Sequence, residues 1–205
     1  MRTMVFIDAA NLFYGGLKSL GWKIDYQKLK IYLLDKYQAQ EIHYFGGVEI
    51  YDFQHDSIKN QSVHIGNLSA HLNSKLKNFM GTEKDLIKLN KNYKRTKFFL
   101  KLESFGYSMI LKPIKTYKNK GGLINKKADC DVDLVMKVIE NIDYYNRAIV
   151  LSGDLDFLPL YKFLKNKSRG VKVLAHSKNT AREIKKFLGQ NFVEFKTLRS
   201  VCETK

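Results

Sequence analysis

With 205 residues, 44% of them hydrophobic and 13% aromatic, the chain is long enough to bury one full-sized core and too apolar for wholesale disorder. No run approaches the roughly 20 apolar residues of a membrane span, residues 1 to 8 reach an acid too soon for a signal peptide, and the two cysteines, Cys130 and Cys202, have neither disulfide-like nor zinc-like spacing. A cytoplasmic protein without a membrane partner is expected, and its surplus of 36 Lys and Arg over 20 Asp and Glu, a formal charge of +16, puts nucleic acid first among partner classes.

Residues 3 to 7 are apolar or β-branched and end on Asp8, as in a buried strand that delivers a polar group at its C-terminal end. Leu29, Leu33, Leu34 and Tyr37 recur at helical spacing, and 41 to 50 reads as a second strand with Gly46-Gly47 marking a bulge or close backbone approach. The stretch from 51 to 106 is polar and Lys-rich, with helical segments around 63–79 and 93–105. In the second of these, Lys91 to Lys101 with Tyr93, Phe98 and Phe99 reads as a Lys-rich amphipathic helix packing its aromatics on the core. A third strand over 107–114 stops near Pro113, and 115–122 reads as a flexible basic loop.

Beyond it, Val132, Val135, Met136 and Ile139 space out an amphipathic helix. Residues 148–151 repeat the pattern of the first strand and lead into Ser152-Gly153-Asp154-Leu155-Asp156. A helix over 157–165 follows, with Pro159 in its first turn. A strand over 171–175, a helix over 180–188 and an edge strand over 192–195 complete the chain. This alternation predicts βαβ units and a mostly parallel sheet.

In such a sheet ligands bind beyond the carboxyl ends of the strands, where strand order reverses. Asp8 and Asp154 stand at such ends, and Asp131 opens a helix. An acid there serves either as a helix cap or as a ligand. Five histidines show no metal-like spacing.

Phe6-Ile7-Asp8-Ala9-Ala10-Asn11, Cys130-Asp131-Val132-Asp133-Leu134 and Ser152-Gly153-Asp154-Leu155-Asp156-Phe157 together resemble the three motifs of the NYN domain, a branch of the PIN-like nucleases. The resemblance implies a three-layer α/β/α PIN-like fold with a central mostly parallel sheet, a single domain over 1–205, and a family-specific helical insertion around 52–106. It also implies a metal-dependent endoribonuclease whose Asp8, Asp131, Asp154 and Asp156 bind Mg²⁺ or Mn²⁺. Asn11 would orient Asp8, a water or the scissile phosphate, and Ser152 would support the cluster. Asp133 matches the motif too, but residues two apart on a helix point about 200° from one another, so Asp131 is favoured and Asp129 held in reserve. The chain departs from the family at Lys137, where many members carry an acid.

Lys112, Lys115, Lys118, Lys120, Lys126 and Lys127 are expected to grip the backbone of single-stranded or structured RNA, with Tyr117 available for stacking. A homodimer is allowed. A catalytically weak RNA-binding adaptor of the same fold is the alternative. A haloacid-dehalogenase-type phosphatase would need D-x-D after the first strand, and Ala10 occupies that place.

Overall fold

The computed structural model describes residues 1–12, 21–118 and 124–204. In chain order its elements are β1 (Thr3–Asp8), α1 (Tyr26–Tyr37), β2 (Ala39–Val48), α2 (Ile65–Lys77), α3 (Glu83–Ser104) and β3 (Ser108–Pro113). Then come β4 (Lys115–Lys118), β5 (Ile124–Lys127), α4 (Asp131–Glu140), β6 (Arg147–Leu151), α5 (Leu158–Asn166), β7 (Gly170–Ala175), α6 (Arg182–Leu188), β8 (Phe192–Glu194) and α7 (Arg199–Cys202). Among the described residues no helix is long and apolar enough to cross a membrane.

A strand with neighbours on both sides and helices over the sheet has to be apolar throughout, and all six residues of β1 are buried. Val5, Phe6 and Ile7 are fully shielded from solvent, a burial that stabilises by about 1.5–3 kcal/mol per large side chain. The six-stranded sheet has the order β3-β2-β1-β6-β7-β8. β1 runs parallel to both β2 and β6, β6 to β7 and β7 to β8, so the sheet is mostly parallel and flanked by helices. From β1 the chain first builds outward through β2 and later returns to the other side through β6. The reversal of strand order therefore falls between β1 and β6, whose last paired residues are Ile7 and Leu151.

By its contacts the chain divides into two compact units, residues 1–45 with 130–205, and residues 46–129. In the first, α1 starts at Asp25, whose carboxylate accepts from the backbone N–H groups of Gln27 and Lys28, and it buries Leu29, Leu33 and Tyr37 on one face. In the second, α2 packs on α3, and α3 in turn contacts β3. Thr82 caps α3 by accepting from the Asp85 N–H.

Several expectations need correction. The helix expected over 93–105 starts ten residues earlier, at Glu83, because the Thr82 cap and the acids Glu83 and Asp85 in the first turn favour initiation there. The segment read as a flexible loop after Pro113 contains an antiparallel hairpin, with Lys115 paired to Lys127 and Lys118 to Ile124. Thr116, Tyr117 and Ile124 are the residues of good strand propensity in these two segments. The apolar face of α4 is also rotated from the one expected. Leu134 and Val138 are buried against the body of the unit, whereas Val132 is 69% exposed and Met136 45%.

Candidate active site

Two strand ends build the site. β1 delivers Asp8, 9% exposed, straight into a helical turn over residues 9–12. Its Oδ1 accepts from the backbone N–H groups of Ala10 at 3.0 Å and Asn11 at 3.1 Å, so the carboxylate caps the turn it precedes. β6 delivers Ser152, fully buried, whose hydroxyl donates to Asp8 Oδ2 at 3.0 Å and accepts from the Asp154 N–H at 3.3 Å. Asn11 Oδ1 accepts from the Gly153 N–H at 3.0 Å, and Asp154 Oδ1 accepts from the Asp156 N–H at 3.1 Å to cap a single 3₁₀ turn, Leu155–Phe157. The three-residue bend that follows β6 is thereby stitched to the start of the turn that follows β1.

Gly153 is required by this geometry. A Cβ built there would lie 2.4 Å from Thr180 Oγ1, closer than real atoms approach, and a tight 3.1 Å from Thr180 Cα. The Thr180 hydroxyl is itself fixed by donating to the His176 carbonyl.

Burial is the main influence on Asp8 and raises its pKa, since a charge among apolar side chains is poorly solvated. The hydrogen bonds from Asn11, Ser152 and Ala10 oppose that rise, and the neighbouring charge of Asp154 adds to it. Tyr161 on α5 is fully buried, and among the described residues its hydroxyl has no hydrogen-bond partner. Burial first, then the charges of Asp8 and Asp154, push that phenol well above its ordinary value, which places it in the field of both acids. Sequence reasoning passed over Tyr161. The available signal is its place between Leu160 and Leu164 on the inward face of the helix that follows Asp154.

The expected site residues fall into three groups. Asp8, Asn11, Ser152 and Asp154 come together. Asp131 opens α4, which packs on β1; three residues before the buried Leu134, it lies nearer that face than Asp133 does. Asp156 is exposed on the 3₁₀ turn. Among the described residues no set of three or more His, Cys, Asp or Glu side chains is arranged to hold a metal. Backbone N–H groups hold one oxygen each of Asp8 and Asp154. Oxygen-only donors around a carboxyl that among the described residues has no ion-pair partner fit Mg²⁺ or Mn²⁺ in chemistry.

Lys137, the departure noted in the sequence, is near enough to the buried His43 to oppose its protonation. Of the basic set, Lys112 lies in β3 and Lys115 is exposed at the start of β4. Lys120 lies outside the described residues, as do the side chains of Tyr117, Lys118, Lys126 and Lys127.

A family model described as the NYN domain matches residues 2–194. Over 204 residues the chain is 20% identical to the low amplitude and bright protein LabA of Synechococcus elongatus, covering 98% of this chain and 88% of that protein. A crystal structure of a Vibrio parahaemolyticus protein of unknown function superposes with a TM-score of 0.61 at 18% identity, over 94% of this chain and 91% of that one. The T5 D15 protein, co-crystallised with metal ions, aligns at a TM-score of 0.47 and 15% identity over 90% of this chain and 59% of its own, too distant to support an argument.

Proposed function

Because the chain belongs to the NYN domain family, we propose that it is a metal-dependent endoribonuclease in which Asp8 and Asp154 hold Mg²⁺ or Mn²⁺ and Asp131 and Asp156 complete the acidic set. The observation that supports this most is the pairing of two carboxylates across the switch point of a parallel sheet, one of them buried and, among the described residues, without an ion-pair partner. When bound, the ion supplies positive charge and a Lewis acid for a phosphate oxygen. Ser152 locks Asp8 in one orientation through Oδ2, and Asn11 fixes the bend through the Gly153 N–H. Asp133 supports from the first turn of α4. Lys112, Lys115, Lys118, Lys120, Lys126 and Lys127 hold the RNA backbone electrostatically, with Tyr117 against a base.

Incubating the protein with labelled single-stranded RNA and Mn²⁺ beside an Asp154→Asn variant tests the reading. Asparagine caps a turn as aspartate does, so the variant should fold and lose cleavage. Undiminished cleavage by that variant would remove the proposal. The second reading, an RNA-binding adaptor without turnover, is favoured by Lys137 and by the absence of a three-acid cluster among the described residues. It requires RNA to be shifted in mobility but never shortened.

A further inference from the structure

Helix α3 spans 22 residues, and its packed side is occupied: Leu89, Thr96, Phe99 and Leu102 are buried. Every charged residue between Asp85 and Glu103 is basic, and every one of them is exposed. Lys84, Lys88, Lys91 and Arg95 follow at i, i+4, i+7 and i+11, which sets them in one row, and Lys94 and Lys101 flank it one step around the cylinder. From Lys84 to Lys101 the row runs roughly 26 Å along the axis at the α-helical rise. Among the described residues none of these cations is in an ion pair. Lys88, Arg95 and Lys101 instead lie over the rings of Tyr51, Phe99 and Phe105. Phe98, 37% exposed, sits within the same stripe.

A helix surface with like charges at i, i+4 and no acid between Asp85 and Glu103 is self-repelling over that stretch. Its chemistry matches a partner with regularly spaced negative charge. A lipid surface fits less well, because interfacial helices insert a continuous apolar face and that face of α3 is already turned inward. We propose that the exposed face of α3 binds the phosphate backbone of single-stranded RNA, a surface additional to the acidic site, with Phe98 as a stacking platform for a base. The inference rests on RNA being the ligand, as in the function proposed above, but not on cleavage.

The test compares three proteins in EDTA, so that RNA is bound and not cut: wild type, a Lys84→Gln/Lys91→Gln/Lys94→Gln variant, and a Lys162→Gln/Lys186→Gln/Lys196→Gln control that removes the same charge from exposed sites in the other unit. Affinity for a labelled single-stranded RNA is measured across a salt series. The α3 variant is expected to bind roughly 10- to 100-fold more weakly near 0.1 M salt, with the slope of log affinity against log salt reduced by about 2, while the control stays near wild type. Equal losses in both variants would mean diffuse charge and overturn the proposal. So would unchanged RNA affinity in an α3 variant that loses binding to anionic phosphatidylserine vesicles. Cleavage is assayed separately with Mn²⁺: α3-dependent binding without cleavage leaves this inference standing and sinks the nuclease reading, and cleavage with α3-independent binding does the reverse.

Discussion

At the residue scale the site rests on close tolerances. Replacing Gly153 with Ala forces a methyl group into Thr180, and overpacking of this kind costs typically about 1–3 kcal/mol. A chemical denaturation curve should show that loss, and in a Thr180→Ala background, which removes the clashing Oγ1, Gly153→Ala should cost less. Tyr161 points the other way. Its buried hydroxyl carries a desolvation cost with no partner among the described residues, so Tyr161→Phe should leave the unfolding free energy unchanged or raise it by about 1 kcal/mol.

His43 sets a pH dependence. It is buried and stacked on Phe6, and its Nε2 lies 3.2 Å from Glu41 Oε2 without hydrogen-bond geometry at either ring nitrogen. Burial chiefly, and then Lys137, hold its pKa below the ordinary histidine value, against an opposing pull from Glu41. The unfolded chain therefore takes up the proton first. Stability conferred by the neutral ring is complete above about pH 7 and is lost as pH falls below the unfolded value near 6.5. His43→Leu should flatten the wild-type decline in unfolding free energy between pH 7 and pH 5.

The motif residues Asp8 and Asp154 were legible because each ends an apolar run. Tyr161 and Thr180 were not, since what matters about them is a neighbour brought close only by folding.

At the element scale, the strands declared themselves through continuous apolar runs, and β1, β6 and β7 lie within a residue or two of their expected bounds. Helices with polar exteriors were harder. α3 begins where Thr82 accepts from the Asp85 N–H, and the capping signal was outweighed in the sequence by the lysines that follow. Thr82→Ala should lower stability by about 1 kcal/mol, measurable as reduced helical content or a lower denaturation midpoint. The rotated face of α4 shows the limit of periodicity: Val132 and Met136 fit a 3.6-residue repeat as well as Leu134 and Val138 do, and only packing against the sheet chooses between them.

At the scale of the whole molecule, a net charge of +16 on 205 residues makes the folded state self-repelling. Raising NaCl from 20 to 300 mM shortens the screening length from about 20 Å to below 8 Å. Tm should therefore rise by a few degrees over that range, in contrast to RNA affinity, which should fall. The overall α/β plan was readable from alternating strands and helices, whereas of the compact unit over 46–129 only the polar, Lys-rich stretch from 51 to 106 stood out in the sequence.

Asp154 serves two masters, since its oxygen starts a turn and its charge repels that of Asp8. An amide in its place satisfies the first duty and abandons the second. A relative with asparagine at this position would thus keep the same backbone through a single-atom exchange while losing the charge that acts on its buried neighbour.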